Sequence, residues 1–216
     1  YSEHGDNMLI SFEQMKNHYN MNITGILHVG GHWGEESSSY NALGIKNVIF
    51  FEPLKRSYDV CKQNVEQYGY RVINTALGTE EKTVEMYTET KNQGQSSSIL
   101  KPLLHVQQYP DIVFDGKELV EMTTLDSFME TVPEEFNFIN MDVQGYELMV
   151  LKGSTKTLEN IDYIYCEVNR AELYEECAQI EELDEYLKTC GFVRELTNWA
   201  GGTWGDALYI RSKQND

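Results

Sequence analysis

The run Ile26-Leu27-His28-Val29-Gly30-Gly31-His32-Trp33-Gly34-Glu35-Glu36, followed by Val48-Ile49-Phe50-Phe51-Glu52-Pro53, constrains the fold of this chain more than any other stretch. An apolar strand runs into a glycine turn, a helix follows, and a second apolar strand ends on a carboxylate. Such a unit belongs to a parallel α/β sheet and places both the turn and the acid at the C-terminal ends of their strands. Open sheets of this kind bind the nucleoside half of a cofactor there.

Gly30, Gly31 and Gly34 suit that role because a ligand can lie on backbone only where no Cβ intervenes, and because a turn leaving a strand often needs positive φ. Glu52 is placed to accept hydrogen bonds from two ribose hydroxyls. A dinucleotide fingerprint requires glycine two residues before Gly31, and Val29 stands there. No lysine-bearing phosphate loop is present either, so the turn fits a cofactor without pyrophosphate, such as S-adenosylmethionine. The plain alternative is a βα connection whose glycines serve packing alone.

The alternation continues down the chain. An amphipathic segment around residues 10–19 leads into strands at 25–29, 47–51 and 71–74, with helices at 35–43 and from Pro53 through Val65 between them. Residues 83–88 read as an additional edge strand, 92–98 as a polar loop, and 102–117, without a clean period, as a mobile excursion or lid. Thr124 caps a helix over 125–131. A core strand at 136–141 leaves through Asp142 into a further helix, then come a strand at 161–168, a helix at 178–189, and a closing hairpin of 191–196 with 203–210. This order predicts a mostly parallel sheet with helices on both faces and an antiparallel C-terminal edge. We read one domain, residues 1–216, with 1–23 as a helical extension and 24–216 as a Rossmann-like core.

With 216 residues, 41% of them hydrophobic and 12% aromatic, the chain can bury one substantial core. Its 35 acidic against 17 basic side chains give a net charge of −18, which repels nucleic acid and anionic lipid. Small neutral or cationic molecules stay compatible with that field, although an acidic surface often serves only solubility. Cys61, Cys166, Cys177 and Cys190 lack zinc or disulfide spacing and read as reduced, mostly buried thiols. No apolar run spans a bilayer and no leader precedes the first strand, so the expected location is cytoplasmic; a homo-oligomer is compatible. The sequon Asn22-Ile23-Thr24 is then fortuitous.

From about Gly25 to its C-terminus the sequence resembles the FkbM family of S-adenosylmethionine-dependent methyltransferases. The likeness is carried by His28 to Glu36, by Phe51-Glu52-Pro53, by Thr123-Thr124-Leu125-Asp126, and most specifically by Met141-Asp142-Val143-Gln144-Gly145-Tyr146-Glu147-Leu148-Met149-Val150-Leu151-Lys152-Gly153. It implies a class I, seven-stranded Rossmann-like methyltransferase fold, S-adenosylmethionine as cofactor, and O-methylation of a small hydroxylated molecule. Many methyltransferases of this fold carry an acid where His28 stands and glycine where His32 stands, so recognition of the donor's amine shifts to Glu35, Glu36 or Asp142.

The expected donor site comprises His28, Gly30, Gly31, Gly34, Glu35, Glu52, Pro53, Asn74, Ala76, Ser97 and Asp142. Asn74 addresses the adenine edge or caps a turn, with Ala76 and Leu77 as an apolar wall. Ser96, Ser97 and Ser98 match a serine cluster of the family or form a solvated loop. Methyl transfer requires an in-line geometry, and an alcohol must lose its proton to a base or to a metal-bound state. Asp142, at a central strand end, is the leading catalytic carboxylate, with a helix N-cap as its plain alternative; Glu167 and His32 are further candidates. Structural roles compete in both cases. Glu147 either favours a helix dipole or joins the chemistry. Asp142, Glu167 and Asn169 form a candidate hard-oxygen set for Mg²⁺. Trp199, Trp204 and Tyr209, in the closing hairpin, either stack on a sugar ring or pack in the core.

The expected activity is O-methylation of a small polyhydroxylated acceptor, a sugar or nucleotide-sugar. Rival readings are an NAD-linked oxidoreductase and a non-catalytic glycan- or protein-binding module on the same fold.

Overall fold

The computed structural model describes residues 9–213; the first eight residues of the expected extension and residues 214–216 lie outside the described part. In chain order the elements are α1 (Phe12–His18), β1 (Ile26–Val29), α2 (Ser37–Ala42), β2 (Val48–Phe51), α3 (Lys55–Glu66), β3 (Arg71–Ile73), β4 (Ala76–Leu77) and β5 (Lys82–Thr88). Then follow α4 (Leu104–Gln108), β6 (Gly116–Thr123), α5 (Leu125–Met129), β7 (Phe138–Met141), α6 (Glu147–Lys152), a 3-10 turn (Thr157–Asn160), β8 (Tyr163–Asn169), α7 (Ile180–Thr189), β9 (Phe192–Trp199) and β10 (Trp204–Arg211).

Seven strands form the main sheet in the order β3-β2-β1-β7-β8-β10-β9. All pairs are parallel except those of β10, which runs antiparallel to both β8 and β9. Strand period 2 splits the central strands between two cores. Leu27, Ile49, Ile139 and Ile164 face α5, α6 and α7, whose Leu125, Leu151 and Leu183 fill that side. Ile26, Phe50, Phe138 and Tyr165 face the opposite layer, packed by Phe12 and Met15 of α1, Tyr40 of α2, and Cys61 and Val65 of α3. The strand order reverses between β1 and β7, the point where such sheets leave a crevice at their C-terminal edge.

Three details depart from the sequence reading. The strand expected at 83–88 does not extend the main sheet; β5 pairs with β6 in a separate three-stranded sheet ordered β4-β6-β5. β6 itself was unexpected: Val120 and Met122 point inward, but the outward, solvent-exposed Leu119 blurs the alternation. The excursion at 102–117 contains a short helix pinned by its backbone, with Leu103 N–H and His105 N–H donating to the Leu173 carbonyl at 2.9 and 3.1 Å and Leu104 N–H to that of Glu172 at 3.1 Å. It is a wall attached to the segment after β8, where a free lid was expected.

All four cysteines are free, three buried and Cys190 half-buried. Among the described residues no helix is long and apolar enough to cross a membrane.

Candidate active site

A cavity of about 590 Å³ lies over the C-terminal ends of β1, β2, β7 and β8. Its floor is the glycine turn. The N–H groups of Gly30 and Gly31 both donate to the Phe51 carbonyl at 2.9 Å, which draws the turn against the end of β2. Gly30 has φ +81°, and a Cβ there would stand 2.0 Å from the Asp142 carbonyl oxygen, so this position must be glycine for β1 and β7 to exit side by side. Gly34, at φ +72°, serves packing: its Cβ would strike the Val65 side chain of α3 at 2.5 Å, and it does not line the cavity.

His32 takes the left-handed conformation, φ +48°, a region that favours glycine. Its strain is offset by two contacts of the imidazole, Nδ1 to Glu35 Oε1 at 2.5 Å and Nε2 to the Gln93 carbonyl at 2.6 Å. Burial disfavours the imidazolium, but the hydrogen bond and charge of Glu35, with Gln93 and Glu52, outweigh it and raise the pKa. Both nitrogens are thereby engaged, and neither offers a lone pair to a substrate proton.

Glu52, 6% exposed, accepts the backbone N–H groups of His32 and Leu54 at 2.9 and 2.8 Å, one on each oxygen. Each oxygen keeps a second lone pair. Burial pushes its carboxyl up to about 7, against the opposing pull of those hydrogen bonds and of His32. His28, also on the lining, is stacked on Phe50 at 4.9 Å and contacts the Tyr40 hydroxyl through Nδ1 at 2.8 Å; burial drops its pKa to about 3 and keeps it neutral.

The opposite wall is acidic. Asp142, at the end of β7, and Glu167, near the end of β8, come together with Glu147 from the first turn of α6, their carboxylate oxygens lying within 4.8 Å of one another. Glu147 and Glu167 are buried, whereas Asp142 is exposed to the open cavity although protein surrounds its carboxylate closely enough to raise its pKa. Burial also pushes Glu147 up to about 8 and Glu167 well above the usual carboxyl range, each reinforced by the charge of Asp142. The charge of Asp142 beside it favours the protonated form of Glu167. Gln144 spans the two, its Nε2 donating to Asp142 Oδ1 at 2.7 Å and to Glu167 Oε2 at 3.3 Å. It holds φ +51° beside Gly145 at φ +93°. The Tyr174 hydroxyl lies 2.7 Å from the Ser96 carbonyl and 2.9 Å from Gln144 Oε1, its single proton serving one at a time.

Of the expected site residues, His28, Gly30, Gly31, His32, Glu35, Glu52, Pro53, Ala76, Ser97, Asp142 and Glu167 do converge on the cavity. Asn74 does not. Its amide donates to the carbonyls of Glu52 and Pro53 at 3.0 and 2.8 Å and braces the turn after β2, while Thr75 and Ala76 take the wall. Asn169 also stands outside the lining, buried with both amide atoms unpartnered among the described residues, and Glu147 occupies the third place in the acidic group. In the serine loop, Ser96 and Ser97 reach the cavity and Ser98 instead ties to the Gln144 carbonyl at 2.7 Å. The buried Glu89 organises that loop by accepting from Asn92 N–H at 2.7 Å and Ser96 N–H at 3.2 Å. Of the three hairpin aromatics Trp204 lines the cavity; Trp199 lies under the Arg170 guanidinium at 3.8 Å, and Tyr209 is core, its hydroxyl donating to Asp184. Gln144 lies within the segment 141–153, which by itself assigns it no role, and Tyr174 and Glu89 carry no sequence signal; the partners of Gln144 and Tyr174 include distant segments.

The methyltransferase FkbM domain model matches residues 28–194. The chain belongs to the FkbM methyltransferase family. This FkbM protein is 29% identical over 196 residues, 87% of its length and 79% of the relative's, to the 2-O-methyltransferase NoeI of Sinorhizobium fredii. Among solved structures it is similar to magnesium protoporphyrin IX methyltransferase from Synechocystis PCC 6803 (TM-score 0.53, 8% identity, 93% of this chain and 76% of that one). It is also similar to ribosomal protein L11 methylase from Lactobacillus delbrueckii subsp. bulgaricus (TM-score 0.51, 12% identity, 92% and 75%). These two likenesses are of fold, that of class I methyltransferases. The FkbM protein is an S-adenosylmethionine-dependent methyltransferase.

Proposed function

We propose that the protein transfers the methyl group to a hydroxyl of a small polyhydroxylated acceptor, a sugar or nucleotide-sugar. The observation that carries this reading is the presence, in one cavity, of a nucleoside-type floor built from Gly30, Gly31 and Glu52 and an acidic wall built from Asp142 and Glu167. The printed activity of the Sinorhizobium relative, 2-O-methylation, supports oxygen as the nucleophile.

When bound, S-adenosylmethionine supplies an electrophilic methyl on a sulfonium. The residues fit it: Glu52 has a lone pair left on each oxygen for a ribose diol, the neutral His28 and Pro53 and Ala76 make an uncharged wall, and Glu35 and Asp142 present negative charge to an ammonium. Ser97 borders the same space. Asp142 would take the acceptor's hydroxyl proton as general base, with Gln144 holding its carboxylate in place beside Glu167. His32 holds the turn.

The spacing of the acidic group favours a second reading of the same step, in which Asp142, Glu147 and Glu167 would hold a Mg²⁺ ion that would lower the pKa of the hydroxyl. Mass-spectrometric detection of a methyl gain on methyl glycosides and nucleotide-sugars, with and without EDTA, tests both. The first reading expects turnover to survive the chelator. Absence of affinity for S-adenosylhomocysteine sinks the donor site.

A further inference from the structure

His105, on α4, reaches the same cavity as Asp142 and Glu167. Its ring is 4% exposed and packed among Tyr109, Phe114 and Tyr174, with centroids 5.0, 5.2 and 5.5 Å away. Nδ1 has no hydrogen-bond partner among the described residues. A buried polar group left unpaired is costly and uncommon, and one bordering a reaction cavity is accounted for when a ligand completes it. Burial lowers the pKa and keeps the imidazole neutral, with one N–H and one lone pair, the pair of functions a hydroxyl can meet.

The surroundings are cross-linked. Trp204 Nε1 donates to the Tyr109 hydroxyl at 2.8 Å, and Thr203 Oγ1 donates to Gln108 Oε1 at 2.8 Å, so α4 is tied to the closing hairpin as well as to the segment after β8. Tyr109 and Trp204 both border the cavity beside His105. Aromatic faces next to a polar ring atom match a saturated ring that presents C–H groups on its faces and hydroxyls at its edge. Charge narrows the choice further. Among the described residues no Lys or Arg lines the cavity, whereas Glu35, Glu36, Glu52, Asp142, Glu167 and Asp206 do. A nucleotide-sugar would bring a diphosphate into that acidic surrounding without a cation to meet it.

We propose that His105, Tyr109 and Trp204 form the acceptor subsite, that the acceptor is an uncharged sugar or glycoside, and that a ring hydroxyl bonds the His105 imidazole. This rests on the O-methyltransferase reading and sharpens it from two acceptor classes to one.

The test uses the whole protein with S-adenosylmethionine and matched acceptors: methyl glucoside, galactoside, mannoside and fucoside, each against its UDP- or GDP-linked form, with formation of S-adenosylhomocysteine as the readout. At least one methyl glycoside should exceed its nucleotide-linked counterpart at least tenfold in kcat/KM. His105→Phe should raise KM for that glycoside at least tenfold, His105→Asn should recover part of it, and Trp204→Leu should weaken it likewise, while affinity for S-adenosylhomocysteine stays within twofold and certifies the fold. The proposal is overturned by preference for the nucleotide-linked form, by an unchanged KM in the variants, or by donor binding without methylation of any glycoside. If the wild-type protein does not bind S-adenosylhomocysteine at all, the donor reading fails with it.

Discussion

Two carboxyl groups meeting at the ends of adjacent strands repel unless a proton and a donor stand between them, and Gln144 supplies the donor to both Asp142 and Glu167. Replacing Gln144 by Ala should lower kcat by about tenfold to a hundredfold through loss of alignment, with donor affinity unchanged; steady-state kinetics and calorimetric titration separate the two. Asp142→Asn should cost on the order of 10² to 10⁴ in turnover and weaken donor binding far less, because Glu35 still faces the ammonium. Glu52→Ala should abolish donor binding, as titration with S-adenosylhomocysteine would read directly. Because burial pushes the Glu52 carboxyl up to about 7 and its ionised form accepts two ribose hydroxyls more strongly than its protonated form, donor affinity should rise with pH through 7 with release of a proton. Titrations in buffers of different ionisation enthalpy report that proton, and a pH-independent affinity would remove Glu52 from the ribose.

At the scale of elements, sequence motifs divide between chemistry and architecture. The Thr123–Asp126 segment reads as part of the family signature, yet it lies away from the reacting groups. Thr124 caps α5 by accepting Ser127 N–H at 3.0 Å, and Asp126 accepts from Lys156 N–H at 3.0 Å and from the N–H and hydroxyl of Thr157 at 2.7 and 2.8 Å. Its carboxyl is lowered because these bonds outweigh partial burial. It joins α5 to the 3-10 turn, and Asp126→Ala should destabilise by about 2 kcal/mol in urea unfolding with catalysis of the folded fraction intact. A lowered folded-state pKa also means that this contribution is present above the unfolded value and is lost as pH falls. Gly30→Ala acts the other way: the Cβ would meet the Asp142 backbone, shift both turns, and reduce donor affinity together with stability.

For the whole molecule, the raised carboxyls of Glu52, Asp142, Glu147 and Glu167 set a pH dependence. Each binds a proton in the folded protein at pH values where the unfolded chain has released it, so stability falls as pH rises from the unfolded carboxyl range near 4.5 through about 7 and 8. The net charge of −18 acts in the same direction, through self-repulsion. Thermal unfolding of the ligand-free protein should therefore give its highest Tm near pH 5, a lower one at pH 8, and partial recovery at pH 8 on adding salt. A flat profile would mean that these groups are not buried as described.

The order of the main-sheet strands, the glycine turn, the acid ending β2 and the Asp142 segment were all legible in the sequence, because period, turn chemistry and local spacing are properties of neighbouring residues. What remained hidden depends on residues far apart in the chain. β6 pairs with two strands much earlier in the chain, from Thr88↔Gly116 to Ala76↔Met122, which no local pattern declares. Asn74 and Asn169 sit at strand ends as expected, but their side chains turn away from the cavity, since a strand end fixes where a residue is and its packing fixes where it points. Glu147 could be read as a dipole partner until β8 brought Glu167 beside it. Sequence thus determined the sheet and its donor edge through short-range geometry, and only the tertiary structure decided the acidic centre and its neutral aromatic wall, because both are assembled from segments that meet solely on folding.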